Sequence, residues 1–227
     1  MGGLIELARA LPRWAEITLV VILGFGLFIY SALSAAAAPM SAPPSAADFL
    51  FLSGYEIVIG TLLLALLFLR GWRLSDLGLV QASPWEPMHA LLLLGAIVFG
   101  GQLLWSAAAP FVGDDQRAAA SPVGPAGIGV ITAIVFSLIN ALYEEVFVCG
   151  YLITALRGGG LGGATAVLVS AALRLSYHVY EGPVAFLIIG PFGLLLGWYF
   201  AARGRLLPLI VVHFALDMLS LLPYLRF

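Results

Sequence analysis

Three pairs of polar residues stand in otherwise apolar segments of the C-terminal half of the chain. They are Glu144 with Glu145, Arg174 with His178, and His213 with Asp217. The second and third pairs have a four-residue spacing, which places both side chains on one face of an α-helix. Ionisable groups within membrane-spanning segments are costly and rare, so each is a candidate functional residue. Together the pairs predict one polar pocket shared by three helices.

The residue types in this pocket suit acid–base chemistry on a water molecule. A buried glutamate can act as the general base, and a nearby histidine can share the water and later protonate a leaving amine. A second histidine, held by Asp217 one turn away, can donate a hydrogen bond to a developing oxyanion. The hydroxyl of Tyr143 or Tyr177 could join the site. Cys149 follows Glu145 by one turn, and a lone thiol in a helix is more often a packing residue than a nucleophile.

Three other interpretations of the polar residues stay open at this point. Two histidines and a glutamate are a familiar catalytic zinc set, although the HExxH helix motif is absent from the chain. Chains of Asp, Glu and His also line proton and ion pathways, but the paired Gly/Pro-broken helices of transporters are not evident. Finally, the pairs could be buried salt bridges that only fix helix register. The prediction is a site that needs neither a metal nor another cofactor.

The composition defines the environment in which the pocket is built. Of 227 residues, 62% are hydrophobic and only 10% are charged, against about 25% charged residues in ordinary soluble domains. The formal net charge is −2 and no basic tract is present, which argues against a nucleic-acid partner. A single cysteine excludes a disulfide framework. We therefore expect an all-α, polytopic helical membrane bundle surrounded by lipid.

Apolar segments of about 20 residues mark the membrane-spanning helices. They predict seven spans, at residues 17–38, 49–69, 88–109, 126–156, 162–180, 183–201 and 206–225. The fourth is overlong and could bend or hide a further short helix, which would make eight. Residues 1–125 would hold the first three helices and their loops, and residues 126–227 the catalytic helical core, within a single membrane domain.

The arginines predict the orientation of the bundle through the positive-inside rule. Seven of them fall in the N-terminal segment and the loops of one side: Arg9, Arg13, Arg70, Arg73, Arg157, Arg203 and Arg205. Arg117 and Arg226 fall on the other side. We therefore predict a cytoplasmic N-terminus in a bacterial inner membrane. The small residues before Pro39 resemble a signal-peptide cleavage region, but the preceding apolar run is longer than about 7–15 residues, which favours an uncleaved first helix.

The polar pairs carry a resemblance to a known family. Residues 143–152, YEEVFVCGYL, resemble the first motif of the CPBP (Abi) family, which holds type II CAAX prenyl endopeptidases and bacteriocin-processing or immunity proteins. That motif is Glu-Glu, three residues and Arg, commonly followed by Gly-Tyr-Leu. The second motif, Phe-x-x-x-His, falls on Arg174 to His178, and the third, His-x-x-x-Asn or Asp, falls on His213 to Asp217.

The resemblance implies a glutamate-dependent intramembrane endopeptidase without an obligatory metal. Glu144 and His178 would activate the attacking water, and Glu145 would be a supporting second carboxylate. His213 and Asp217 would supply the oxyanion site. The partners implied are a peptide or membrane-protein substrate and the surrounding lipids.

The resemblance covers residues from about 126 to 222 and departs from the family at two positions. Cys149 replaces the motif arginine, and Arg174 replaces the motif phenylalanine. We expect Arg174 to neutralise Glu144 and Glu145 from the facing helix, so that the charge of the pocket is unchanged. The competing interpretation is a catalytically inactive relative that serves as a membrane-embedded interaction or immunity protein.

Overall fold

The computed structural model describes residue 6 and residues 10–37, 44–113 and 127–226. Within them it shows seven helices: α1 (Arg13–Ala37), α2 (Ala46–Leu69), α3 (Glu86–Ala108), α4 (Val130–Gly158), α5 (Gly163–Ser176), α6 (Pro183–Arg203) and α7 (Leu207–Leu221). Short 3₁₀ turns follow α2, α3, α5 and α7. The predicted all-helical bundle is confirmed. Arg9, Arg117, Ala38 and Pro39 lie outside the described residues.

Six of these helices are long and apolar enough to cross a membrane, and α5 is shorter. With 14 residues, α5 is about 21 Å long at 1.5 Å per residue, less than the hydrocarbon thickness of about 30 Å. Its contact with α6 is nevertheless the most extensive contact between any two elements of the described chain. The protein is therefore an integral multi-pass membrane protein with one short helix inside the bundle.

The predicted fifth span, 162–180, is too long at its C-terminal end. The helix ends at Ser176, a 3₁₀ turn follows at Val179–Glu181, and Pro183 begins α6. Gly182 between them has φ +65° and ψ −148°, a conformation that is essentially restricted to glycine. A proline also disfavours helix in the residue before it. The Gly-Pro junction thus ends the continuous helix that the apolar pattern predicts.

The overlong helix α4 stays continuous by changing its hydrogen-bond pattern. Its middle part, Glu145–Tyr151, is π-helical, and the N–H of Leu152 donates to the carbonyl of Phe147, five residues earlier. Ser170 of α5 donates a hydrogen bond of 2.8 Å to the carbonyl oxygen of Val148 in this segment. Single-turn π segments occur frequently at functional sites, and this one begins at a residue of the predicted pocket.

Two glycines allow α6 to approach α5 closely. A Cβ atom added at Gly193 would lie 3.2 Å from Cδ of Arg174, and one added at Gly197 would lie 3.2 Å from Cγ1 of Val167. Small residues at four-residue spacing are typical of tightly packed membrane helices. The packing of α6 therefore restricts the aliphatic part (the stem) of the Arg174 side chain, whose guanidinium reaches the site.

The N-terminal helix is joined to the core by a buried carboxylate that the sequence did not single out. Glu16 of α1 is 1% exposed and forms an ion pair with Arg70. It also accepts hydrogen bonds from the hydroxyl of Tyr151 at 2.9 Å and from the indole N–H of Trp72 at 3.4 Å. Three donors thus stabilise its charge and connect α1 to α4 and to the end of α2.

The same end of the bundle collects the other arginine-bearing loops. Arg157, at the end of α4, donates to a carbonyl of α6 at 3.1 Å. Arg205, just before α7, pairs with Glu86 at the start of α3 at 2.7 Å. This clustering agrees with the distribution of arginines, while the side of the membrane on which this end lies stays a prediction. At the opposite end, β1 (Ile128–Gly129) pairs in parallel with β2 (Leu225–Arg226).

Candidate active site

The guanidinium of Arg174 binds both adjacent glutamates of α4. Its Nη1 donates to Oε2 of Glu144 at 2.9 Å, and its Nη2 donates to Oε1 of Glu145 at 2.6 Å. The arginine side chain is 1% exposed. The contact predicted from the exchanged motif positions is therefore present. Two charge-assisted bonds in a nearly dry site hold these side chains firmly.

Adjacent residues of a regular α-helix point about 100° apart at 3.6 residues per turn. Here Glu144 ends the α-helical part of α4 and Glu145 begins the π-helical part. The fork of the guanidinium, with its several N–H donors, bridges the two carboxylates. Its Cζ atom also lies 5.0 Å from the ring centroid of Phe192 on α6, so that the cation rests against an aromatic ring.

Tyr177 is the tyrosine that joins the site. Its hydroxyl donates to Oε2 of Glu144 at 2.6 Å, because the end of α5 at Ser176 leaves Tyr177 outside the regular helix. The hydroxyl of Tyr143 instead donates to the carbonyl of Gly24 in α1 at 2.7 Å. The sequence offered both tyrosines as candidates and could not choose between them. The direction of Tyr177 depends on where α5 ends, which the sequence did not predict.

The two glutamates differ in what their second oxygen can do. Oε2 of Glu144 accepts from Arg174 and Tyr177, whereas its Oε1 accepts no hydrogen bond from the part of the chain that the structure describes. The Glu144 side chain is 10% exposed and that of Glu145 is 0% exposed. Glu144 therefore has an open oxygen that a water molecule can reach, and Glu145 is enclosed.

His213 connects Glu145 to the carboxylate of Asp217. Its Nδ1 lies 2.8 Å from Oε1 of Glu145, and its Nε2 lies 3.5 Å from Oδ1 of Asp217. The amide of Asn140 donates to Oδ2 of Asp217 at 3.0 Å. Sequence reasoning missed Asn140, although it precedes Glu144 by four residues and so lies on the same helical face.

Of the two contacts of the His213 ring, the longer one, from Nε2 to Asp217, involves the nitrogen that could face an oxyanion. A separation of 3.5 Å between Nε2 of His213 and Oδ1 of Asp217 exceeds the usual N–H···O distance of about 2.7–3.2 Å. The Nε2 side of the ring is therefore less firmly occupied than the Nδ1 side. A hydrogen bond from this nitrogen to a reacting oxygen would not break a short contact.

His178 lies where the sequence did not place it. The prediction that it shares a helical face with Arg174 is wrong, because α5 ends at Ser176. The ring instead pairs through Nδ1 with Oε1 of Glu181 at 2.8 Å. Within the described chain it makes no hydrogen bond to Glu144. It lies near Asp217 and directly follows Tyr177, whose hydroxyl binds Glu144.

Cys149, at the position of the missing motif arginine, is part of the packed interior. The residue is 1% exposed, and its thiol lies beside Glu145 and Arg174. The guanidinium of Arg174 on α5 therefore lies next to the side chain of residue 149. A thiol so enclosed fits a packing role rather than that of a nucleophile.

Glu56 brings a further acid to the same region from α2. It is 1% exposed, and neither of its oxygens has a hydrogen-bond partner within the described residues. It lies near Glu144, Asp217 and His213. Among the described residues, no group of three or more His, Cys, Asp or Glu side chains has a geometry suited to a metal ion.

The fold and the site define a multi-pass helical membrane protein with a buried cluster of carboxylates, histidines and an arginine between its helices. Residues 126–219 match the family model described as type II CAAX prenyl endopeptidase Rce1-like. This part of the chain is therefore an Rce1-like domain of the CPBP (Abi) family, as its motifs indicated. No curated protein and no solved structure matches the chain.

Proposed function

We propose that the protein is an intramembrane endopeptidase in which Glu144 is the general base. The observation that carries the proposal is the open oxygen of Glu144. Oε2 is fixed by Arg174 and Tyr177, and the side chain keeps 10% of its surface exposed. A base must reach its proton donor directly or through one water, and Glu145 is too enclosed to do so.

The proposed reaction is the hydrolysis of a peptide bond by a bound water. Oε1 of Glu144 accepts a proton as the water oxygen attacks the peptide carbonyl carbon. We assign His213 the imidazolium form, in which Nδ1 donates to the ionised Glu145 and Nε2 donates a hydrogen bond that stabilises the negative oxygen of the tetrahedral intermediate. When the carbon–nitrogen bond breaks, the protonated Glu144 returns its proton to the leaving amine. Glu145 stays ionised and holds Arg174 and His213 in position.

The family name supports a peptide substrate, and the position of the site inside a helical bundle supports a substrate that approaches from the membrane. We further propose that the arginine-rich end of the bundle faces the cytoplasm of a bacterial cell. The other proposed partners of the bundle are the surrounding membrane lipids.

A cleavage assay in liposomes tests the proposed base. The purified protein, a Glu144→Gln variant and an Asp76→Asn control are given a farnesylated CAAX peptide and a mixture of unmodified peptides. Products are identified by mass spectrometry. The parent and the control, whose exposed Asp76 lies in the turn after α2, should cleave one of these probes, and Glu144→Gln should not. Full activity in Glu144→Gln would refute Glu144 as the base, and activity abolished by a chelator would favour a metal-dependent reaction.

One observation favours a second candidate function, that of an inactive membrane-embedded binding or immunity protein. Cys149 stands in place of the motif arginine. A parent that cleaves no probe, combined with cleavage by a Cys149→Arg, Arg174→Phe double variant that restores both motif residues, would establish this alternative. Cleavage by the parent alone would eliminate it.

A further inference from the structure

The pair formed by His178 and Glu181 lies in the turn between α5 and α6. Nδ1 of His178 is 2.8 Å from Oε1 of Glu181, and the two side chains are 21% and 26% exposed. Neither the family motifs nor the spacing of the polar pairs assigns a role to Glu181. We propose that Glu181 is a positioning residue that fixes the orientation and tautomer of His178, an inference that rests on the proposed function.

The turn holds the two side chains at a fixed separation. The N–H of His178 donates to the carbonyl of Leu175, and the N–H of Glu181 donates to the carbonyl of His178, at 3.1 and 3.0 Å. Gly182 ends the turn in a conformation restricted to glycine. The contact between the imidazole and the carboxylate is therefore built into the junction of two helices.

The pairing selects one tautomer of the neutral imidazole. An ionised carboxylate only accepts hydrogen bonds, so Nδ1 of His178 carries the hydrogen and Nε2 is left as an acceptor. Nε2 has no hydrogen-bond partner within the described residues. An acidic residue that holds the far nitrogen of a histidine in this way is the common device for presenting an acceptor nitrogen to a site.

The ring that carries the free nitrogen lies beside a residue that binds the proposed base. The ring of His178 lies 4.9 Å from that of Tyr177, centroid to centroid, and the Tyr177 hydroxyl binds Glu144. Asp217 lies near His178. Nε2 would then be free to accept a hydrogen bond from the water that Glu144 deprotonates, the role that the family resemblance implies for His178. No covalent bond to His178 is formed or broken.

An exposed ion pair contributes little stability, so unfolding measurements would not report on the contact between Glu181 and His178. The test must therefore read the tautomer directly. The chain contains three histidines, so ¹⁵N-histidine NMR of the full chain in nanodiscs gives a small set of signals, and a His178→Ala variant assigns those of His178. A Glu181→Gln variant keeps the size of the side chain, and its amide can either donate or accept.

In mildly alkaline buffer we expect His178 of the parent to carry its hydrogen on Nδ1. In Glu181→Gln the population with hydrogen on Nε2 should rise clearly, while the signals of His213 and His89 stay unchanged. An identical His178 tautomer in both proteins would overturn the proposal. This readout needs no substrate, so it decides the role of Glu181 even if the chain cleaves no peptide.

Kinetics separate the failure of this inference from the failure of the proposed function. Glu181→Gln should lower kcat by about 100-fold or more with little change in KM, since a wrong tautomer costs up to about 10⁴-fold in a serine protease. Asp76→Asn is the control. If Glu144→Gln is inactive while Glu181→Gln keeps the full kcat, the role of Glu181 is refuted and the proposed base stands.

Discussion

Nη2 of Arg174 lies 2.6 Å from Oε1 of Glu145, and both side chains are almost completely buried. Since Nη1 of the same guanidinium binds Glu144, one cation from α5 serves two carboxylates on α4. Cys149 lies directly beside this contact. The positive charge that the family places on α4 is thus supplied by a neighbouring helix.

The first prediction concerns this exchange of positions. Arg174→Phe should destabilise the protein by about 3–5 kcal/mol, the usual result of removing one partner from a buried ion pair. Cys149→Arg alone should also destabilise it, because a second cation enters an enclosed site that already holds one. The double variant should recover part of the loss, with a coupling energy of about 0.5–3 kcal/mol.

Unfolding of the four proteins in detergent, followed by circular dichroism, measures that coupling. A Phe192→Leu variant serves as the control for altered packing beside the guanidinium, whose Cζ lies 5.0 Å from the Phe192 ring. If the loss of stability in the double variant equals the sum of the losses in the two single variants, residues 149 and 174 do not share one function.

The second prediction concerns the tyrosine that binds Glu144. Tyr177→Phe removes a hydrogen bond of 2.6 Å to a carboxylate, a type of bond that contributes about 1.5–3 kcal/mol. If Tyr177 steadies the base, kcat should fall about tenfold or more, since about 1.4 kcal/mol corresponds to a factor of ten. Tyr143→Phe is the matched control, because that hydroxyl binds a backbone carbonyl of α1. Equal rates in the two variants would contradict the prediction.

The third prediction compares two buried glutamates of the N-terminal half. Glu16 is bound by Arg70, Trp72 and Tyr151, whereas Glu56 has no partner within the described residues. Glu16→Gln should therefore destabilise the protein by about 3–5 kcal/mol, because one charged partner of a buried ion pair is removed. Glu56→Gln should leave the stability nearly unchanged, because its carboxyl has no hydrogen-bond partner within the described residues to lose.

Thermal unfolding of both glutamine variants in the same detergent provides the comparison. A large loss of stability in Glu56→Gln would show that its carboxyl has a partner essential to the fold, which would contradict the geometry.

The fourth prediction concerns the close contact of α5 and α6. Gly193→Ala places a methyl group 3.2 Å from Cδ of Arg174, a side chain whose far end is held by two ion pairs and cannot easily move. We expect a loss of about 1–3 kcal/mol from this overpacking. Gly190→Ala is the matched control, because its methyl group meets Leu175 at an ordinary 3.8 Å. Equal melting temperatures for the two variants would argue against a confined Arg174 stem.

The fifth prediction concerns orientation. In a Cys149→Ala background, which lacks cysteine, single cysteines are introduced as Arg73→Cys and Gly113→Cys, both at exposed positions. A membrane-impermeant maleimide added to intact cells should label position 113 and spare position 73. The reverse pattern would place the arginine-rich end of the bundle outside the cell.

The sequence by itself determined the class of protein and the helical bundle, and it named most residues of the candidate site. Composition and the length of apolar segments are local properties, and they decide that a segment such as α2 resides in lipid. Charged groups are so costly there that Glu144, Glu145 and His213 stand out without any knowledge of the fold. Motif spacing added the family, and the exchange of Cys149 and Arg174 even predicted an ion pair.

The tertiary structure alone decided which partners these residues have. The π-helical segment of α4 and the end of α5 at Ser176 depend on packing between helices, which an apolar pattern does not encode. They direct Tyr177 to Glu144 and separate His178 from the face of Arg174. Long-range pairs such as Glu16 with Tyr151 arise for the same reason, because a buried polar group binds whichever donor the packing brings near.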